Sequence, residues 1–247
     1  MKKLIIANWK MNPVSLKEAQ KMMAGLKAGL KNSKVEVVVC PPFVYLTSFK
    51  FQVLSFKLGA QNCFWENRGA FTGEVSVKML KDTGVKYVIL GHSERRIIMG
   101  ETAGQVNKKI KAVLQSGLVP VVCFGESLEE KQQGKSFVSI EKELKEMLEK
   151  ISKENVAKII FAYEPDWAIG TGNNCSSDDA LTMALFVKKI MGEVYGKKVK
   201  ESVRVLYGGS IGADNALSYL ENEAISGLLV GGASLNIKKF LDIVENI

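Results

Sequence analysis

The feature that most limits this chain is the order in which its patterns recur. Short apolar runs of strand length alternate with longer stretches of helical spacing from end to end. The strand-like runs are Leu4 to Ala7, Val35 to Cys40, Leu58 to Ala60, Tyr87 to Leu90, Val119 to Phe124, Lys158 to Ala162, Val203 to Tyr207 and Gly227 to Val230. The helical stretches are Leu16 to Leu30, Tyr45 to Phe49, Val75 to Lys81, Gln105 to Gln115, Phe137 to Ile151, Asp178 to Val194, Asp214 to Leu220 and Ile237 to Val244. Ser176 and Ser177 are available to cap the helix near Asp178. Strict alternation implies parallel strands joined by helical crossovers. Eight such units in 247 residues, with no Pro/Gly-rich linker between them, predict an α/β chain forming a single (β/α)8 barrel over residues 1–247. The alternative is an open doubly wound sheet. Its dinucleotide-binding version would carry a strand, G-x-G-x-x-G, helix fingerprint, which this chain lacks.

Composition narrows the function classes. The net charge is +8, from 34 Lys and Arg against 26 Asp and Glu, which suits an anionic partner or substrate. The lysines are dispersed over the polar faces of helical stretches, with no aromatic-interleaved basic ribbon, so nucleic acid is not expected. No apolar run reaches the length of a membrane helix. The N-terminus turns polar at Asn8, too soon for a signal peptide, which makes a cytoplasmic protein the default. Cys40, Cys63, Cys123 and Cys175 lie far apart, and with one His in the chain no metal site is expected.

In a barrel of this type the site lies where strands end at their carboxyl termini. Those ends are Asn8-Trp9-Lys10, Gly91-His92-Ser93-Glu94, Glu164, Gly208-Gly209-Ser210 and Gly231-Gly232. They collect a cation, the sole imidazole, two carboxylates and two glycine turns. Strands seven and eight adjoin in a closed barrel. Two glycine turns that start helices there would aim backbone N–H groups at one phosphate. Gly208-Gly209-Ser210-Ile211-Gly212 also matches the hydrolase nucleophile elbow, but no His follows Ser210 to serve that serine. Ser93-Glu94-Arg95 reads as a helix start, which favours a neutral His92 able to donate to a substrate oxygen. Lys10 supplies positive charge and Glu164 a base. After Glu164, the stretch Pro165, Asp166, Trp167, Ala168, Ile169, Gly170, Thr171, Gly172 has an apolar tip between a proline and two glycines. That suits a water-excluding lid. The chemistry expected is proton transfer on a phosphorylated carbonyl compound.

Five motifs carry a resemblance that runs the length of the chain: Asn8-Trp9-Lys10-Met11-Asn12, Gly91 to Arg96, Tyr163-Glu164-Pro165 with Trp167 to Gly172, Tyr207 to Ser210, and Leu229 to Leu235. The chain resembles the triosephosphate isomerases, whose fold and pKa tuning are well-known worked cases. The resemblance implies a TIM barrel that interconverts dihydroxyacetone phosphate and glyceraldehyde 3-phosphate without cofactor or metal. It implies Glu164 as the base, His92 as the carbonyl-polarising group, Lys10 and Asn8 as oxyanion stabilisers, and Glu94 as their acidic neighbour. It also implies Gly170, Ser210, Gly231 and Gly232 as phosphate donors, and a homodimer contact through Phe71 and Thr72.

Three positions depart from the family pattern. Asp166 replaces an apolar hinge residue and adds a charge within reach of the site's mouth. Asn173-Asn174-Cys175 replaces the usual second hinge, and Ser226 stands where many relatives carry Asp. Two rival functions are another phosphosugar enzyme and a non-catalytic phosphometabolite binder. The first would not need Lys10, His92 and Glu164 together, and the second would be expected to lose at least one of them.

Overall fold

The structure is a computed structural model that describes residues 2–49, 55–168 and 175–247. Its parallel strands are β1 (Leu4–Asn8), β2 (Glu36–Cys40), β3 (Lys57–Ala60), β4 (Tyr87–Leu90), β5 (Val119–Phe124), β6 (Ile160–Tyr163), β7 (Arg204–Tyr207) and β8 (Gly227–Val230), closed into a barrel in chain order. β1 pairs with both β2 and β8, so the sheet has no edge and the doubly wound alternative is excluded.

Alternation along each strand sorts the residues into two cores. Leu4, Ile6, Val38, Ile89, Val121, Ile160, Ala162, Leu206 and Leu229 fill the barrel interior. Ile5, Ala7, Val37, Val39, Val88 and Leu90 face the helices and join the larger outer core. Continued one step upward, the interior row brings Asn8 after Leu4 and Ile6, and Glu164 after Ile160 and Ala162. Both polar residues are buried, at 4% and 0% exposure. At the opposite end, Glu36 of β2 accepts from Lys57 Nζ at 2.7 Å, Tyr87 OH at 2.6 Å and Arg204 Nη1 at 3.0 Å. Burial opposes ionisation of Glu36, but these three donors outweigh it and hold the carboxyl down at about 2. One carboxylate with three donors thus closes the barrel floor.

Side-chain caps decide where several helices begin. Ser15, Ser76, Thr102, Ser127, Ser176 and Asn236 each accept a backbone N–H three residues on. The Ser76 cap moves the helix expected from Val75 to Val77–Asp82, and Ser176 is the cap of Ser177–Tyr195. The helix expected to reach Ile151 is Ser136–Met147. Leu148 caps it, and Lys150 then adopts a left-handed φ of 58°. Strand six lies at Ile160–Tyr163, later than the expected Lys158 to Ala162, and the helix expected from Asp214 starts at Ala216. Leu128–Gln132, Lys153–Val156 and Lys197–Ser202 are helices too short to show a period in the sequence. Among the described residues, no helix is long and apolar enough to cross a membrane.

Candidate active site

At the carboxyl rim of the barrel a cavity of about 240 Å³ is lined by Asn8, Lys10, His92, Glu164, Gly208 to Ile211, Leu229 and Gly231 to Ala233. The expected strand ends therefore converge on one space. A larger hollow of about 580 Å³ between Ala28–Lys34 and the C-terminal segment is lined by helix and loop residues, none of them at a strand end.

His92 caps the helix Ser93–Ile97, and its Nδ1 accepts the Glu94 N–H at 3.2 Å. A ring nitrogen that accepts a backbone N–H has no proton of its own. The hydrogen-bond pattern therefore assigns the neutral tautomer with its proton on Nε2. Nε2 lies 3.3 Å from Glu164 Oε1. The other oxygen of Glu164 accepts the Ser93 N–H at 2.9 Å, while Oε1 has no hydrogen-bond partner among the described residues. A buried carboxylate oxygen left in this state is costly, and such cost concentrates at functional sites. Room for the side chain comes from Gly208, where a Cβ would stand 2.8 Å from Glu164 Cγ.

Lys10 adopts a left-handed φ of 53°, a strained conformation for a side-chain-bearing residue. Its backbone is over-determined: its N–H donates to Asn8 Oδ1 at 3.0 Å, and Gln61 Nε2 donates to its carbonyl at 2.8 Å. Its ammonium pairs with Glu94 Oε1, so the positive charge expected of Lys10 is shared with its acidic neighbour. A Cβ on Gly231 would come within 2.9 Å of Lys10 Cε, so the last glycine turn lies directly against the lysine. Ser234 Oγ donates to the Asn8 carbonyl at 3.2 Å and ties the short 3-10 turn Gly232–Leu235 to β1. The other glycine turn departs from expectation. Gly208-Gly209-Ser210 starts no helix, since the next one begins at Ala216, and any anion there meets loop amides without a helix end behind them.

The near end of the presumed lid is firmly built. Pro165 is followed by a 3-10 turn, Asp166–Ala168. Trp167 Nε1 donates to Glu126 Oε1 at 3.0 Å, and Lys131 Nζ sits 3.5 Å from the centre of the indole ring. Tyr163 OH donates to the same Glu126 at 2.9 Å. Ile169, Gly170, Thr171, Gly172, Asn173 and Asn174 lie outside the described residues, and so does the donor role expected of Gly170. Asp166 turns inward: its Oδ1 accepts from Arg96 Nη2 at 2.7 Å, with the side chain 19% exposed. Burial pushes the Asp166 carboxyl up to about 6, with Arg96 pulling it back down and Glu164 and Glu126 adding to the rise.

Phe71 and Thr72 are exposed at the tip of a loop that is pinned at its base, where Phe64 N–H donates to the Val75 carbonyl at 2.8 Å. Phe64 packs on Phe71 with ring centres 4.6 Å apart.

Glu126 and Glu143 were not singled out in the sequence, and Ser93 and Arg96 stood there only within the Gly91 to Arg96 motif. Glu126 could have been found, since it lies two residues past β5, close to the level of Glu164 one residue past β6. Ser93 acts through its backbone, and Arg96 and Glu143 meet across elements far apart in sequence.

The triosephosphate isomerase family model matches residues 3–247. The triosephosphate isomerase of Alkaliphilus oremlandii is 47% identical, with 99% of this chain and 100% of the relative covered. That of Dictyoglomus thermophilum is 44% identical with 99% of each chain covered, and that of Clostridium botulinum 44% with 98% of each. With this coverage, and a closed eightfold barrel beneath it, the chain belongs to the triosephosphate isomerase family.

Proposed function

We propose that this isomerase interconverts dihydroxyacetone phosphate and D-glyceraldehyde 3-phosphate through an enediolate, with Glu164 moving the proton. One observation carries the reading: Glu164 Oε1, without a hydrogen-bond partner among the described residues, lies 3.3 Å from His92 Nε2 in the rim cavity. A substrate carbonyl oxygen that accepts from Nε2 takes the space beside it, and Oε1 moves aside. The carboxylate then stands beside the neighbouring carbon. It removes a proton from C1 of the ketose and returns one to C2, while the hydroxyl proton passes from O1 to O2 by way of the His92 ring, which leaves the aldose. Negative charge that develops on the two oxygens meets the His92 N–H, the Lys10 ammonium and the Asn8 amide. Glu94 steadies Lys10 through its carboxylate and the His92 ring through its backbone N–H. The backbone amides of Ser210, Gly231 and Gly232, with Gly170, receive the phosphate, and that remote binding energy orients the reacting carbons. The roles need no cofactor or metal.

The partner is a second copy of the chain. Exposed Met11 and Met99 line a hollow of about 210 Å³ beside Lys10 and His92, Val44, Ile97 and Ile98 are exposed as well, and the exposed Phe71–Thr72 tip is the projection that would fill the hollow. Apolar residues exposed this densely favour an interface. Four free, buried cysteines fit a reducing compartment, in keeping with a cytoplasmic enzyme that engages neither nucleic acid nor membrane.

The test is turnover of dihydroxyacetone phosphate in deuterium oxide. Deuterium should enter the transferred position during turnover, and Glu164→Gln should abolish its entry. Complete retention of substrate hydrogen by the native enzyme would replace the proton shuttle with a hydride shift.

A further inference from the structure

The Arg96 guanidinium joins four separate elements beneath the rim. Nη1 donates to the Gly91 carbonyl at 2.7 Å, immediately before His92. Nη2 donates to Asp166 Oδ1 at 2.7 Å and reaches the Gly125 carbonyl at 3.4 Å. Nε lies 3.5 Å from Glu143 Oε1, whose other oxygen accepts the Gly125 N–H at 3.3 Å. Asp166 also donates its own N–H to the Glu126 carbonyl at 3.1 Å. The fork thus spans the turn that carries His92 and the turn that carries Glu164, two residues before Asp166.

Among the described residues, links of two kinds connect those turns. The first is the Glu164 carboxylate itself, on the Ser93 N–H and 3.3 Å from His92 Nε2. That link is lost whenever the base leaves for the substrate, as the proton shuttle requires. The second is the Arg96–Asp166 pair, which touches no reacting atom and can persist through the whole cycle. We propose that Asp166 is a positioning residue, acting through Arg96 to hold the Glu164 turn in register with the His92 turn while the carboxylate is away from Ser93. An apolar residue at this position could not do so, because Arg96 would keep only carbonyls and Glu143 as partners. The planar fork suits this task, since it fixes direction as well as distance. Its surroundings make the tie adjustable. Glu143, Glu126 and Glu164 all face Asp166, so one guanidinium serves a carboxylate-rich neighbourhood, and burial raises both Asp166 and Glu143 above the usual carboxylate range.

The inference rests on Glu164 being the base, and the test separates the two. Asp166→Val, Asp166→Asn, Arg96→Lys and the double variant Asp166→Val with Arg96→Lys are assayed for kcat, KM and thermal midpoint beside Glu164→Gln. Misplacing a catalytic group by about 1 Å costs up to about 10²-fold. Asp166→Val should therefore lower kcat by about tenfold with KM nearly unchanged. Asp166→Asn, which keeps an acceptor for Arg96, should recover most of that loss. The double variant should be no slower than Arg96→Lys alone, as expected when two residues act as one unit. A native kcat in Asp166→Val would overturn the proposal, whether or not the thermal midpoint falls. So would additive losses in the double variant. If Arg96→Lys does not fold, rescue by Asp166→Asn alone decides, and an Asn variant as slow as the Val variant overturns the proposal. A fully active Glu164→Gln would instead strike at the assignment of the base.

Discussion

The two ends of the barrel treat buried charge in opposite ways. At the floor one carboxylate, Glu36, receives three donors, and its carboxyl is held at about 2. At the rim one guanidinium, Arg96, faces two carboxylates, and burial pushes Asp166 up to about 6 and Glu143 up to about 7. Among the described residues, the floor leaves Arg204 Nε without a hydrogen-bond partner, whereas around the rim Ser93 Oγ, Glu164 Oε1 and Tyr207 OH are all buried without one. Lys10 adds backbone strain at the same end. One barrel carries both ends on the same strands, so the contrast is not one of fold. The floor has been relaxed toward stability. The rim keeps polar groups unsatisfied, ready for a ligand, and such sites are offset by stability elsewhere.

The contrast predicts a double dissociation, and the largest effect belongs to the rim. Glu164→Gln keeps the shape of the side chain and removes the base. Turnover should drop by about 10²–10⁴ or more. The thermal midpoint should hold or rise, because a buried, half-partnered carboxylate becomes a neutral amide. A variant that loses activity and stability together would mean that Glu164 also holds the rim together. Next in size is the loop tip. Phe71→Lys combined with Thr72→Lys should yield a monomer by sedimentation, with turnover reduced by about tenfold or more because the partner's tip helps hold Lys10 and His92. A fully active monomer would show that the rim needs no second copy to keep its strained geometry.

The floor predicts the reverse. The Glu36 carboxyl is lowered in the fold, from 4.5 to about 2, so its stabilisation is complete above 4.5 and is lost as pH falls through 2. At ~1.36 kcal/mol per pH unit the ceiling is about 3 kcal/mol, and partial exposure brings it to about 1–2 kcal/mol. Glu36→Gln should cost about that much in urea unfolding at pH 7, much less at pH 2.5, and leave kcat untouched. A pH-independent loss would assign the effect to packing around Tyr87 instead of charge.

These two ends were unequally legible in the sequence. Strand alternation revealed the barrel because buried parallel strands and amphipathic helices each leave their own period. The reading rule for carboxyl ends then found Asn8, Lys10, His92, Glu164 and both glycine turns. It could not see that Gly208 to Ser210 lead into a loop, since helix onset there depends on residues as far on as Asn215. Asp166 was legible as a departure, but its inward ion pair was not. Its partner lies seventy residues away, and the spacing between Arg95 and Arg96 does not say which of them turns inward. The floor went unread altogether. Glu36, Lys57, Tyr87 and Arg204 are scattered across four strands, and only closure of the barrel brings them together.

The smallest predicted effect tests the rim's charge balance most directly. Burial raises Glu143 from 4.5 to about 7, opposed by Arg96 and the Gly125 N–H and assisted by Asp166 and Glu130. A raised carboxyl has the opposite sense to Glu36. The fold binds its proton more tightly than the unfolded chain does, so its contribution is complete below 4.5 and is lost as pH rises through 7. Glu143→Gln mimics the protonated form at every pH. It keeps an oxygen for the Gly125 N–H and loses only an ionised neighbour for Arg96. Near pH 5 the variant and the native protein should therefore unfold at nearly the same urea concentration. At pH 8.5 the variant should be more stable by up to about 1 kcal/mol, well under the full linkage value because Asp166 relaxes as its rival for Arg96 is neutralised. The difference between the two pH values, more than either stability alone, is the quantity to measure. If Glu143→Gln is destabilised equally at both, Arg96 needs both carboxylates charged, and the rim is as well balanced electrostatically as the floor.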